Sequence, residues 1–241
     1  MSLLLACVSG TPPVSPPPDL AASFSALYAD PTDADALEVL RDKVEDIGYR
    51  LDALSESDLG DRPHPDRDLD DALGGANAGP SPHALDSHLA FILLPDQSVV
   101  NPDQYEQFDR TFLEGGECFA DGSCDSLRTW NDIVKVAAFG VKIPYAYEKA
   151  YVRVGDAIVA RGWVEEESLS ADDQNGILQS YNLDVFWPTD DGGTRRVQAQ
   201  WAEMKISIGV EPSDDFLYDQ IVDGLVDVFE DTDAAIAALA L

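Results

Sequence analysis

Four runs of neighbouring carboxylates could in principle move protons: Glu165-Glu166-Glu167, Asp172-Asp173, Asp190-Asp191 and Asp214-Asp215. Two carboxylates divide acid and base work when their surroundings set their pKa values apart. Abundance argues against that use here. With 46 acidic residues in the chain, adjacent pairs arise by chance. Adjacent residues on a strand also point to opposite faces and cannot act on one substrate. No Gly-x-Ser-x-Gly or Ser-x-x-Lys nucleophile motif occurs, and no Gly-x-Gly-x-x-Gly or phosphate loop. The chain reads as a non-enzyme, with a hydrolase as the weakest alternative.

A second constellation is polar and aromatic. Arg161, Trp163 and Glu165 alternate along one expected strand, and Trp201, Glu203 and Lys205 along another. Tryptophan beside Arg, Lys and Glu on one sheet face makes either a ligand surface or a solvated face laced with cross-strand ion pairs. For metals the signal is poor. Asp66, Asp68 and Asp70 alternate like the start of a calcium loop, but Asp71 stands where glycine is needed and Asn77 where glutamate is needed. The three histidines, His64, His83 and His88, lack a ligand spacing, so neither a metal nor another cofactor is expected.

Cys118 and Cys124 flank a glycine-containing loop, GGECFADGSCDS. A disulfide between them is expected, with free thiols or a metal site as alternatives; two thiols are too few for structural zinc. Closing so short a loop is worth about 2 kcal/mol. The third cysteine, Cys7, has no partner in this count.

Charge excludes one class of partner. Fifteen Lys and Arg against 46 Asp and Glu leave a net charge of −31. Such a surface repels phosphate backbones, so no nucleic acid partner is expected. It suits a salty medium, or binding of cations or a basic partner. No apolar run approaches the roughly 18–20 residues that span a bilayer.

The elements that must position these groups follow from periodicity. A short helix is expected over 19–28. A second, opened by Thr32 and Asp35, runs to about Leu54. Residues 61–87 read as a mobile acidic connector, rich in Asp, Pro and Gly. A buried strand is expected over 88–95. Asn101-Pro102-Asp103-Gln104 then opens a helix with Tyr105, Phe108 and Phe112 on its core face. Another helix is expected over 126–139, with Leu127, Trp130, Ile133, Val134 and Ala137 as its stripe. Four meander strands follow over 145–154, 157–168, 177–187 and 195–207. Ser213 caps a long final helix. The fold class is therefore α+β: N-terminal helices, and an antiparallel meander sheet packed against a long C-terminal helix. The divisions are 1–6, 7–18 as a Pro-rich tether, 19–60 as N-terminal helices, the connector 61–87, and an α+β domain over 88–241.

Leu4-Leu5-Ala6-Cys7 resembles the lipobox of bacterial lipoproteins. That resemblance implies acylation of Cys7, cleavage before it, and anchoring in a membrane of the bacterial cell envelope. Val8, where an Asp often signals inner-membrane retention, implies the outer membrane. Thr11-Pro12-Pro13-Val14-Ser15-Pro16-Pro17-Pro18 suits an extended tether behind such an anchor. No Lys or Arg precedes Cys7, and its apolar run is shorter than the roughly 7–15 residues of a signal-peptide core. The expectation is that residues 1–6 are the remnant of a signal peptide whose start lies upstream of Met1.

The element order is also similar to the helix-grip fold of START-like lipid-binding proteins, which have two more strands. That resemblance implies a cavity between sheet and final helix, and a carrier of an apolar small molecule or lipid. The first reading is an envelope lipoprotein with a binding or structural domain; the carrier is its alternative.

Overall fold

The computed structural model describes residues 12–98, 105–136, 141–207 and 213–241. The lipobox and Cys7 lie outside them. The chain begins with helices α1 (Pro18–Ala29) and α2 (Ala34–Lys43), strand β1 (Gly48–Leu51) and the one-turn helix α3 (Glu56–Leu59). Then come β2 (Leu73–Ser81), helix α4 (Leu85–Ile92), β3 (Tyr105–Glu114), the short α5 (Gly116–Ala120) and β4 (Ser126–Val136). The meander follows: β5 (Lys142–Val154), β6 (Ala157–Trp163), β7 (Ser168–Leu169), β8 (Gly176–Pro188) and β9 (Thr194–Lys205). Helix α6 (Asp214–Leu239) closes the chain.

The strands make one antiparallel sheet in the order β1-β2-β9-β8-β6-β5-β4-β3, with β7 paired to β8. The expected class, an antiparallel sheet with a long C-terminal helix and N-terminal helices, is the one observed. Helix α6 starts where expected. The Ser213 hydroxyl accepts from the Phe216 amide at 3.3 Å, and Asp214 and Asp215 oppose the dipole in the first turn.

Several elements depart from the sequence reading. The helices expected over 101–114, ended by Gly115-Gly116, and over 126–139 are strands β3 and β4; residues 101–104 and 137–139 lie outside the described ones. Burial along β4 alternates through Leu127, Thr129, Asn131 and Ile133. Two of those four side chains are polar, so counting apolar residues alone hid the period of two. Leu127, Trp130, Ile133 and Val134 then mimicked a helical stripe. The expected strand over 88–95 is helix α4, which buries His88, Leu89 and Ile92 at helical spacing. Short apolar runs fit either element, and packing decides between them. The second helix ends at Lys43, and Tyr49 and Leu51 of β1 bury alternate positions.

The segment read as a connector contains β2, which lies between β1 and β9. Its sequence, LGGANAGPS, carries no hydrophobic alternation because its job is close approach. A Cβ at Gly75 would stand 2.8 Å from Ile221 Cγ2 of α6. A Cβ at Gly74 would stand 2.6 Å from the Trp201 ring on the other face. The small residues of β2 therefore seat α6 on one edge of the sheet. Farther along the sheet, toward β5 and β4, the helix stands off.

A cavity between the concave sheet face and the C-terminal helix

Cross-strand register fixes which side chains meet. In an antiparallel sheet, paired residues share a face. On the face toward α6, β8 presents Ser180, Asn182, Asp184 and Phe186, and β9 presents Ala202, Gln200, Gln198 and Arg196 opposite them. From β5 come Tyr145, Tyr147, Lys149 and Tyr151, opposite Ile133, Asn131, Thr129 and Leu127 of β4. Between β5 and β8, β6 contributes only Gly162, Ala160 and Ile158 to this face.

Because α6 leans on β2, the space above β4, β5 and β8 is not filled. It is a cavity of about 680 Å³, within the usual range of small-molecule sites. Its walls are mostly apolar and aromatic. Phe91 and Ile92 of α4, Phe216, Leu225 and Phe229 of α6, and Tyr105, Phe108, Tyr145 and Tyr147 of β3 and β5 contribute. Tyr105, Tyr145 and Tyr147 are surrounded by protein yet keep accessible surface, as side chains facing an internal void do. Burial raises all three phenols, Tyr105 to about 12, so they are neutral hydroxyls. Midway along the cavity-facing side of α6, Gly224 has nothing within 4 Å of where its Cβ would be.

The floor is polar. Lys149 and Asp184 form a buried ion pair, made possible by the small β6 residues beneath it. Burial is the largest single influence and opposes the Lys149 charge, but Asp184, Tyr151 and Tyr147 together outweigh it and hold the ammonium above its ordinary pKa. Beside the pair, Asn182 Oδ1 and Gln198 Oε1 are buried with no hydrogen-bond partner among the described residues. Open acceptors on a cavity floor are places for a donor on a bound molecule or water.

One end of the cavity is closed by a bonded cluster around Arg196, in which Arg196 Nε alone lacks a partner among the described residues. Arg196 donates to the Phe229 carbonyl at 3.0 Å and pairs with Asp233 at 2.9 Å, its guanidinium 4.3 Å over the Phe229 ring. The Ser81 hydroxyl donates to Asp233 at 2.6 Å, so it accepts from His88 Nε2 at 2.9 Å. His88 is 1% exposed. Burial, then the neighbouring Arg196 charge, lowers its pKa to about 4, so it is neutral.

The residues expected to form a ligand face lie elsewhere. Trp163 and Trp201 are on the convex face, 6% and 1% exposed beneath the N-terminal helices. Trp201 donates its indole N–H to the Asp52 carbonyl at 2.8 Å. Tyr28 stands edge-on to it at 5.7 Å. Arg161 donates to the Tyr28 and Ala29 carbonyls at 3.1 and 2.5 Å, satisfying the C-terminal end of α1. Glu203 accepts from Arg67 Nε at 2.6 Å and from Gln179 at 3.0 Å. Glu165 lies beyond the end of β6. Lys205 alone of the six contributes to the cavity wall. The structure joins Cys118 and Cys124 in a disulfide, Cα atoms 5.2 Å apart, at the β3–β4 turn.

Sequence reading missed Lys149, Asp184, Asn182 and Gln198. A signal was present in the alternation of Ser180, Asn182 and Asp184 with Tyr181, Leu183 and Val185. A strand half polar and half apolar reads as one wet face and one dry face. Here the polar half lines the cavity. Among the described residues, no cluster of His, Cys, Asp or Glu could hold a metal, and no helix is long and apolar enough to cross a membrane.

No protein-family model matches this chain, and no curated protein matches it in sequence. Solved structures do match in chain path. A protein of Thermus thermophilus is 18% identical, with a TM-score of 0.46, over 69% of this chain and 98% of that one. A STAR-related lipid transfer protein fragment from Xanthomonas axonopodis is 13% identical, with a TM-score of 0.44, over 69% and 87%. The lipid transfer and protein localization domain of human StarD13 is 7% identical, with a TM-score of 0.45, over 69% and 78%.

Proposed function

We propose that this protein is a carrier that binds an apolar small molecule between the concave sheet face and α6, without transforming it. The observation that carries this reading is the cavity itself: about 680 Å³ of space, walled by aromatic and aliphatic side chains, with a few convergent polar groups on its floor. A core evolved only for stability would fill that volume, because unfilled space costs roughly 24 cal/mol per Å³. Gly224 supports it. A glycine inside a helix costs about 1 kcal/mol relative to alanine, yet this one, exposed at the cavity wall, leaves open a place that a side chain would cover.

The lipobox-like Leu4-Leu5-Ala6-Cys7 supports a further part of the proposal, a carrier tethered to the cell envelope through acylated Cys7. The Cys118–Cys124 disulfide is compatible with an oxidising compartment.

Mass spectrometry of the full-length protein isolated from its own cells tests both parts. Under native conditions an added mass should be present, should vanish on denaturation, and should be lost in Gly224→Phe. A covalent diacylglyceryl mass on Cys7 should survive denaturation. An empty mass in every native preparation would defeat the carrier, and an unmodified Cys7 would defeat the anchor.

A further inference from the structure

The chain has five lysines against 46 acidic residues, and three of the five, Lys135, Lys149 and Lys205, line this one cavity. Lys149 is neutralised by Asp184. Lys135 has no ion-pair partner among the described residues. It sits near the end of β4, on the same face as Tyr105 of β3 and Ile143 of β5, with which it is in register. Both neighbours line the cavity. Burial lowers its pKa, and no acidic group among the described residues acts to raise it. An ammonium between tyrosine and isoleucine, with no counter-charge among the described residues, is costly in the empty protein. Lys205 stands at the same end of the cavity. The last residues of β9 pair with the first of β8, and antiparallel register carries that end across β6 and β5 to the last residues of β4. Lys205 is exposed, so it marks the open side of that end. The opposite end holds Phe186, Phe229 and His88, and its arginine is already paired with Asp233.

We infer that the cavity takes an amphiphile with an anionic head group, carboxylate or phosphate, bound at Lys135, its apolar body running toward the Phe186–Phe229 end. This rests on the carrier reading and names the ligand's chemical class. The outer surface is strongly acidic, so the preference comes from inside the cavity and not from bulk attraction. An ammonium is a point charge on a flexible stem and accepts either head group.

The test is calorimetric titration of the intact protein, stripped of lipid, with dodecanoate, dodecyl phosphate and dodecanol. At least one anionic probe should bind about ten- to a hundredfold more tightly than the alcohol, the range expected of a charge-assisted hydrogen bond. The carboxylate-to-phosphate ratio identifies the head group. In Lys135→Met the preference for the anion should fall to within about twofold, with alcohol binding retained. Lys135→Arg should keep it, and so should Lys205→Met. Equal binding of alcohol and both anions by the natural protein would overturn the inference while leaving the carrier standing. A preference that survives Lys135→Met would overturn the assignment to Lys135. If none of the probes binds, the inference and the carrier reading fail together.

Discussion

The two faces of one sheet in this protein are built to opposite ends. The convex face is a dry core. Helices α1 and α2 cover it, and Leu20, Phe24, Leu27, Tyr28, Tyr181 and Trp201 are all within 2% of full burial. Its polar groups are matched in place, Arg161 to the end of α1 and Glu203 to Arg67. The concave face has a helix over it too, but the helix rests on the glycines of β2 and stands away from β4 and β5. What remains between is space, with an ion pair and unfilled acceptors on its floor. The same alternation of side chains that fills one face leaves the other open, and the difference comes from where the covering helix is allowed to touch.

If that contrast is right, substitutions of similar size should act differently on the two faces. The largest effect is expected from Trp201→Ala. It empties a fully packed site and should cost about 3–5 kcal/mol in urea unfolding. Tyr145→Ala, which only enlarges an existing void, should cost about 1 kcal/mol or less. Equal losses would mean that the concave face is as tightly packed as the convex one.

Next comes the cavity floor. Lys149→Met leaves Asp184 buried without its counter-charge and should cost about 3 kcal/mol. Adding Asp184→Leu should restore most of it, because a matched apolar pair replaces a matched ionic one. A double variant as unstable as the single one would show that the pair is not the source of the loss.

The last test concerns the closed end. His88 is neutral in the folded protein because its pKa is depressed to about 4 from 6.5. Between those values the unfolded chain takes up a proton that the folded one refuses. His88 therefore withdraws stability as pH falls through that window, by about 2 kcal/mol between pH 7 and pH 5. The difference in unfolding free energy between the natural protein and His88→Gln should narrow by that amount on acidification. A pH-independent difference would place His88 in contact with water, and the closed end would not be closed.

Much of the architecture was legible because some signals are local. The Ser213 cap and the two acids after it start α6 whatever it packs against. Gly155-Asp156 turns β5 into β6, since glycine accepts the left-handed backbone at φ +61°. Cys118 and Cys124, six apart in a glycine loop, could meet without help from the rest of the fold. Other segments were ambiguous for a physical reason. In β4 two polar residues occupy buried positions, where Asn131 holds Arg110 Nε at 2.8 Å. In β2 there is almost no side chain to carry a pattern. Both are strands because neighbours pair with them, and β2 also because α6 passes close by; none of this is written within the segment.

By itself, then, the amino-acid sequence determined the acidic surface, the meander, the long capped helix and the cysteine pair. Each of these follows from charge count, period or spacing over a few residues. Which sheet face would be dry and which hollow was decided by the tertiary structure. Trp163 and Trp201 read as a surface for a ligand until α1 lay on them, and Lys149 and Asp184 read as ordinary strand residues until α6 roofed them over. Alternation states only that a strand has two sides. What covers each side, and how closely, depends on residues far away in the chain, such as Gly75 admitting Ile221 of the final helix.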